Sequence, residues 1–284
     1  MGGLTPQAKG FADTVPKAFA ESVRRYPQRT AAIGEDGSEL SYTQIDAKRV
    51  EAARALISLG VEPGDRVAIW SPNSVEWMIA GLAIHSVGAA IVPVNTRMRG
   101  QEAGYVLEKS CARVLFCPGQ FLGQHYPTLL GSHRPKSLEA IVVIGDERAG
   151  DLSWSDFLAR AKQVPEATVH QRAAAVKPDD CMDVMFTSGT TGLPKGVVTT
   201  HGQNLRIFWE FGDRLELAPE DRYLVVNPFF HVFGYKAGWL AGGPAIGAHG
   251  IAARGVRRRR GHEAHRQGKN LGTARSADTV HQPA

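Results

Sequence analysis

The amino-acid sequence predicts an α/β fold, with βαβ layers around a largely parallel sheet, followed by a basic tail that is too poor in apolar residues to fold on its own. Three observations carry this expectation. Between residues 41 and 158, segments with apolar residues at helical spacing alternate with short β-branched runs. A loop of hydroxyls and glycines joins two strand-like runs within residues 183–198. Beyond Ala241 there is no aromatic residue, and the large aliphatics reduce to Ile246, Ile251, Val256, Leu271 and Val280.

Taken in order, residues 15–26 read as a surface helix after a polar leader. Ser41 or Thr43 offers an N-cap, Ile45, Val50, Ala53, Leu56 and Ile57 recur at helical spacing, and Gly60 is a natural stop. A turn at 63–65 leads into a buried strand at 67–70. Asn73 or Ser74 opens a second helix that ends at Gly88, before a strand at 90–94. A helix near 101–109, strands at 113–117 and 140–144, and a short helix opening at 152–158 continue the alternation. Residues 163–179 are polar, contain proline and read as a connector. After the loop, His201 and Asn204 open an amphipathic helix reaching about residue 215. A turn at 219–222 and a strand at 223–226 follow.

Composition narrows the function classes. With 284 residues the chain can bury a sizeable core. No apolar run approaches the roughly 20 residues that span a bilayer, and the N-terminus lacks the pattern of a signal peptide. Cys111, Cys117 and Cys181 have no metal-ligand spacing, so the expected setting is a reducing cytoplasm. The net charge of +5 is local. Eight of 33 basic and two of 28 acidic residues lie from Gly242 onward, leaving that tail at +6 and the rest at −1.

The loop carries the chemistry. In residues 186–197, Thr187, Ser188, Gly189, Thr190, Thr191, Gly192 and Lys195 combine backbone N–H groups free to form an anion nest, hydroxyl donors and one compact cation. A flexible surface hairpin is the plain alternative. The Walker pattern is excluded, because Lys195 lies between Pro194 and Gly196 and leads into a strand rather than a helix. A second constellation follows at 227–235, Asn-Pro-Phe-Phe-His-Val-Phe-Gly-Tyr. A histidine ending a strand among phenylalanines is compatible with a core residue as well as a functional one.

Residues 187–196, Thr-Ser-Gly-Thr-Thr-Gly-Leu-Pro-Lys-Gly, match throughout the signature of the adenylate-forming, AMP-binding superfamily. The chain resembles that superfamily over about residues 15–241, nearest to acyl-CoA synthetases and fatty-acid–CoA ligases, including those acting on steroid-derived propanoates. Residues 64–69 and 88–95 are similar to two further blocks of the family, and the 228–234 segment to its Pro-x-x-His-x-x-Gly block. The resemblance implies the large N-terminal domain of these enzymes, with ATP, Mg²⁺ and CoA as reactants or cofactors and a small-molecule carboxylic acid as substrate. It implies that the loop holds the β- and γ-phosphates and that His231 lies by the carboxylate. Phe230, Phe233, Gly234 and Tyr235 are then expected in the acyl-pocket wall. No residues are assigned to a metal.

The resemblance stops at Ala241. The aromatic-Gly-x-Thr-Glu block that helps to hold Mg²⁺, the ribose-binding acid and the C-terminal domain with its catalytic lysine do not occur in this sequence. The expected organisation is a partial adenylation domain at 1–241 and a basic tail at 242–284, of the kind that an out-of-frame reading of a GC-rich gene produces. The chain as it stands is then an inactive ligase fragment, exposed to aggregation or chaperone engagement through an unpaired sheet edge. Two other classes stay open: a nucleotide-binding regulatory fragment, and nucleic-acid binding through Arg257–Arg260. No specific nucleic-acid partner is expected, because the tail lacks interleaved aromatics.

Overall fold

The computed structural model describes residues 12–145, 152–187, 192–218, 221–245 and 249–252. Its centre is a seven-stranded sheet in the order β11-β10-β4-β3-β5-β8-β9. The strands are β3 (Arg66–Ile69), β4 (Ala90–Pro93), β5 (Ala112–Pro118), β8 (Ala140–Ile144), β9 (Leu152–Ser153), β10 (Cys181–Thr187) and β11 (Lys195–Thr200). All neighbours pair in parallel except β10 and β11, which form an antiparallel hairpin. A second sheet has the order β12-β13-β1-β2, from β12 (Arg222–Val225), β13 (His249–Ala252), β1 (Thr30–Ile33) and β2 (Glu39–Ser41). A short ribbon pairs β6 (Gln120–Phe121) with β7 (Gln124–His125).

The inner strands β3, β4, β5 and β8 of the large sheet are buried on both faces, and side-chain alternation divides the core in two. Val67, Ile69, Ile91, Val114, Phe116 and Val142 face one apolar cluster. Ala68, Trp70, Val92, Leu115, Cys117 and Val143 face the other. The first cluster is covered by α1 (Val15–Arg25), α2 (Tyr42–Ser58) and α3 (Val75–Ser86). The second is covered by α4 (Gly100–Ser110) and α5 (Tyr126–Leu130).

The helix starts follow their caps. Ser41 caps α2 in a capping box with Gln44, and Ser74 accepts from Trp77 N at the start of α3. Gly88 follows α3 at φ +79°, a left-handed conformation that glycine adopts without strain. Helix α6 (Trp154–Ala159) is the short helix expected there, preceded by β9. The connector expected at 163–179 contains a ten-residue helix instead, α7 (Glu166–Ala175). Its alanines favour helix intrinsically, and Pro165 stands at the N-cap, where its missing N–H has no helical role. Helix α8 (His201–Arg214) starts at a Thr200–Gln203 capping box.

A π-helix, Phe233–Ala245, follows β12. The expected boundary at Ala241 falls inside this helix. The described pairing continues to Ala252, because β13 lies in parallel between β12 and β1. Backbone pairing makes no demand for large side chains, so the composition of this stretch gave no sign of a strand. Residues 253–284, including Arg257–Arg260, lie outside the described residues. Among the described residues no helix is long and apolar enough to cross a membrane.

Candidate functional site

Two segments that the sequence singles out both adjoin α8, which follows β11 directly and meets Phe233 through Phe211. The first is the β10–β11 hairpin. Its register sets Thr187 opposite Lys195 where the ladder ends, and the Thr187 hydroxyl donates to the Lys195 carbonyl oxygen at 3.4 Å. Both residues are exposed at the open end of the hairpin. Gly196 lies close against β10, where a Cβ would sit 3.0 Å from Val184 Cγ1. On the other side, the Tyr105 hydroxyl on α4 donates to the Pro194 carbonyl at 3.2 Å, tethering the returning strand. Gly192 is exposed at the tip, whereas Ser188, Gly189, Thr190 and Thr191 lie outside the described residues. A donor set of one ammonium, hydroxyls and backbone N–H groups suits phosphate oxygens.

The second segment runs from β12 into the π-helix. It is held by a residue that sequence reading left as an alternative helix cap. The buried Asn73 amide donates to the Asn227 carbonyl at 2.9 Å and accepts from Phe229 N at 2.7 Å. Phe229 is the core anchor, with its ring 5.0 Å from that of Trp77 on α3. A turn then closes, in which His231 N donates to the Pro228 carbonyl at 3.0 Å. A Cβ on Gly234 would lie 2.2 Å from that same carbonyl oxygen, so only glycine allows the helix to start this close to the turn.

The expected pocket residues separate into outer and inner sets. His231 is exposed, with the half-buried Phe230 ring 4.7 Å away. Phe233 is 40% exposed and meets Phe211 of α8 edge-on at 6.1 Å. Gly234 is buried in the turn. Tyr235 is enclosed in the core rather than on an open wall. It is fully buried, its hydroxyl 2.9 Å from His85 Nε2, and burial holds the phenol well above its ordinary pKa.

Beneath both segments lies a polar cluster that the sequence reading missed. Asp183, inside the apolar strand β10, is 0% exposed, and Lys236 in the π-helix is 3% exposed. Lys236 Nζ lies 3.1 and 3.0 Å from the two Asp183 carboxylate oxygens. It also donates to Thr199 Oγ1 at 3.0 Å. Thr199 in turn donates to Asp183 Oδ1 at 2.8 Å, and Asn204 of α8 donates to Thr199 Oγ1 at 2.7 Å. Burial pushes the Asp183 carboxyl upward, against the pull of Lys236 and the hydroxyl. Next to this cluster the His85 and His201 rings meet edge-to-face at 5.2 Å. Burial holds both below the usual imidazole range, His201 at about 4. One signal for this cluster was available: an aspartate within the run Cys-Met-Asp-Val-Met-Phe needs a buried partner.

Exposed apolar side chains occur on the hairpin, on α8 and in the histidine segment. Val197 and Val198 on the edge strand β11, Ile207 on α8 and Val232 are all exposed. Among the described residues, no group of three or more His, Cys, Asp and Glu side chains is placed to hold a metal.

Comparison with known proteins gives consistent matches. The profile of the family described as "AMP-binding enzyme" matches residues 19–263. The 3-(7a-methyl-1,5-dioxo-octahydro-1H-inden-4-yl)propanoyl:CoA ligase of Mycobacterium tuberculosis is 46% identical over 228 residues, covering 80% of this chain and 44% of the relative. The ligase of the same description from Rhodococcus jostii is 42% identical over 233 residues, covering 80% of this chain and 45% of the relative. Among solved structures, the anthranilate CoA ligase AuaEII, in complex with anthranoyl-AMP, superposes with a TM-score of 0.76 at 27% identity. That match covers 89% of this chain and 47% of the other. The chain thus spans less than half the length of the curated relatives it matches.

Proposed function

Because this chain belongs to the AMP-binding enzyme family, we propose that it carries the phosphate-holding part of an AMP-forming acid–CoA ligase. In the reaction of such a ligase a carboxylate oxygen attacks the α-phosphorus of ATP and pyrophosphate leaves, giving an acyl-adenylate. The CoA thiol then attacks the acyl carbonyl, the thiol proton passes to base, and AMP leaves. In this reading Lys195 and Thr187, with Ser188, Gly189, Thr190, Thr191 and Gly192, hold the β- and γ-phosphates and so the departing pyrophosphate. His231, exposed beside Phe230, lies by the incoming carboxylate. The substrate class is a steroid-derived propanoate or a fatty acid. The Mycobacterium and Rhodococcus relatives support the former. Mg²⁺ is the expected counter-ion of the nucleotide phosphates.

The observation that carries the reading is Lys195 paired in register with Thr187 at the open end of the hairpin. The test is equilibrium binding of ATP to the 284-residue chain. Lys195→Ala removes one charge-assisted contact worth about 1.5–3 kcal/mol, so affinity should fall about 10- to 100-fold. The exposed side chain makes the melting temperature insensitive to the change. An unchanged affinity overturns the assignment.

These 284 residues are not expected to form the thioester unaided, because no aromatic-Gly-x-Thr-Glu block occurs among them. A CoA thioester made by the purified chain would refute that part. A division into a partial adenylation domain and a basic tail belongs to the same proposal, with its boundary moved past Ala241 because β13 pairs with β1 and β12 and the family match runs to residue 263.

A further inference from the structure

We propose that the buried Asp183–Lys236 pair is a positioning device that fixes the His231 segment against the phosphate hairpin. The inference rests on the proposed function, since it assigns a role to residues behind that site. Asp183 lies four positions before Thr187 on β10, and Lys236 lies five positions after His231. Thr199 comes from β11 and Asn204 from α8, so the cluster joins the strands and helices that carry both halves of the site. Its contacts are directional. Lys236 Nζ reaches both carboxylate oxygens and the Thr199 hydroxyl, and a one-residue slip of the π-helix would strand a charge in the core.

General energetics points the same way. Breaking a buried ion pair is costly because a bare charge remains, whereas replacing both partners with apolar groups of similar volume is often neutral or stabilising. Stability alone therefore gives little reason to bury two charges here. A fixed mutual arrangement of two elements does: β10, which pairs with β11 so that Thr187 meets Lys195, and the π-helix, which begins two residues after His231. Neither Asp183 nor Lys236 is placed to touch substrate, and both act through the segments they join.

The experiment compares Asp183→Leu, Lys236→Met and the double variant in the full 284-residue chain. Three readouts are taken: melting temperature, ATP affinity, and hydrogen exchange of the peptide spanning residues 227–235. Each single variant should lose thermal stability, and the double variant should regain it to near the parent value. In the double variant ATP affinity should nevertheless stay down about tenfold or more, because small misplacements at a reacting site are costly. Exchange of the 227–235 peptide should be correspondingly faster. A double variant with parental affinity and parental exchange shows a merely structural pair and overturns the proposal. If the parent chain binds no ATP, the proposed function falls and the exchange readout alone decides the positioning role. Should the double variant not fold, Asp183→Asn with Lys236→Met keeps an acceptor for Thr199 and is read in the same way. Failure of that pair too makes the cluster a requirement of the fold itself, which also overturns the assignment.

Discussion

Asn73→Ala tests how the histidine segment is held. The amide makes two hydrogen bonds to the backbone of that segment, donating at 2.9 Å and accepting at 2.7 Å. Phe229 is buried with its ring on Trp77, so water cannot readily reach the N–H that Asn73 accepts from. Leaving that donor unmatched costs about 1–3 kcal/mol, and losing the bond to the more exposed Asn227 carbonyl costs about 0.5–1.5 kcal/mol. The sum is about 3 kcal/mol, which lowers the melting temperature by about 8 °C at the usual conversion for a chain of this size. Tryptophan fluorescence is a suitable probe, because Trp77 and Trp239 both pack against Phe229. Amide exchange at Phe229 supplies the local readout and should accelerate well beyond the global change. A melting temperature within about 2 °C of the parent, with Phe229 exchange unchanged, would refute the reasoning.

Two further outcomes follow from buried groups and from the last strand. His201, held neutral at about 4, binds protons more readily unfolded than folded, so stability is full above about pH 6.5 and declines as pH falls toward 4. His201→Gln keeps an acceptor for Val15 N and removes the titration; the slope of stability against pH over that window should fall by up to about 1.4 kcal/mol per pH unit, measured by denaturant unfolding. Gly250→Pro places a proline in β13, which is hydrogen-bonded on both sides, and should lower stability by about 3 kcal/mol or more. No change in melting temperature would return the end of the folded part to Ala241.

The large sheet was legible because its inner strands are buried on both faces and flanked by helices. The run Ala-Ile-Val-Val-Ile gives β8 at its predicted limits, and Ser41 and Ser74 mark helix starts by a local hydrogen bond that needs no tertiary context. The elements that escaped are those whose order comes from elsewhere. The strands β1, β2 and β13 are three or four residues long, too short for a pattern of their own; β2 returns against β1 from close by, and β13 pairs with β1 from far along the chain. Helix α7 was hidden by a polar composition that matches a connector, although its apolar Val169 is fully buried.

The site divides along the same line. The tip residues Thr187 and Lys195 stand out because they belong to one contiguous run rich in hydroxyls and glycines, and His231 because it lies in an ordered motif. What holds these residues is not contiguous. Asn73 lies 154 positions from Asn227, and Asp183 lies 53 positions from Lys236. A side-chain amide bridging two backbone groups has no periodicity, and a buried charge pair leaves only one trace in a sequence, a charged residue where the pattern demands an apolar one. Tyr235 shows the converse: its place in the motif suggested the pocket, whereas a π-helix turned by Gly234 aims it at His85. Motif order singles out the residues proposed to meet phosphate and carboxylate, and the buried polar contacts determine where the described ones stand.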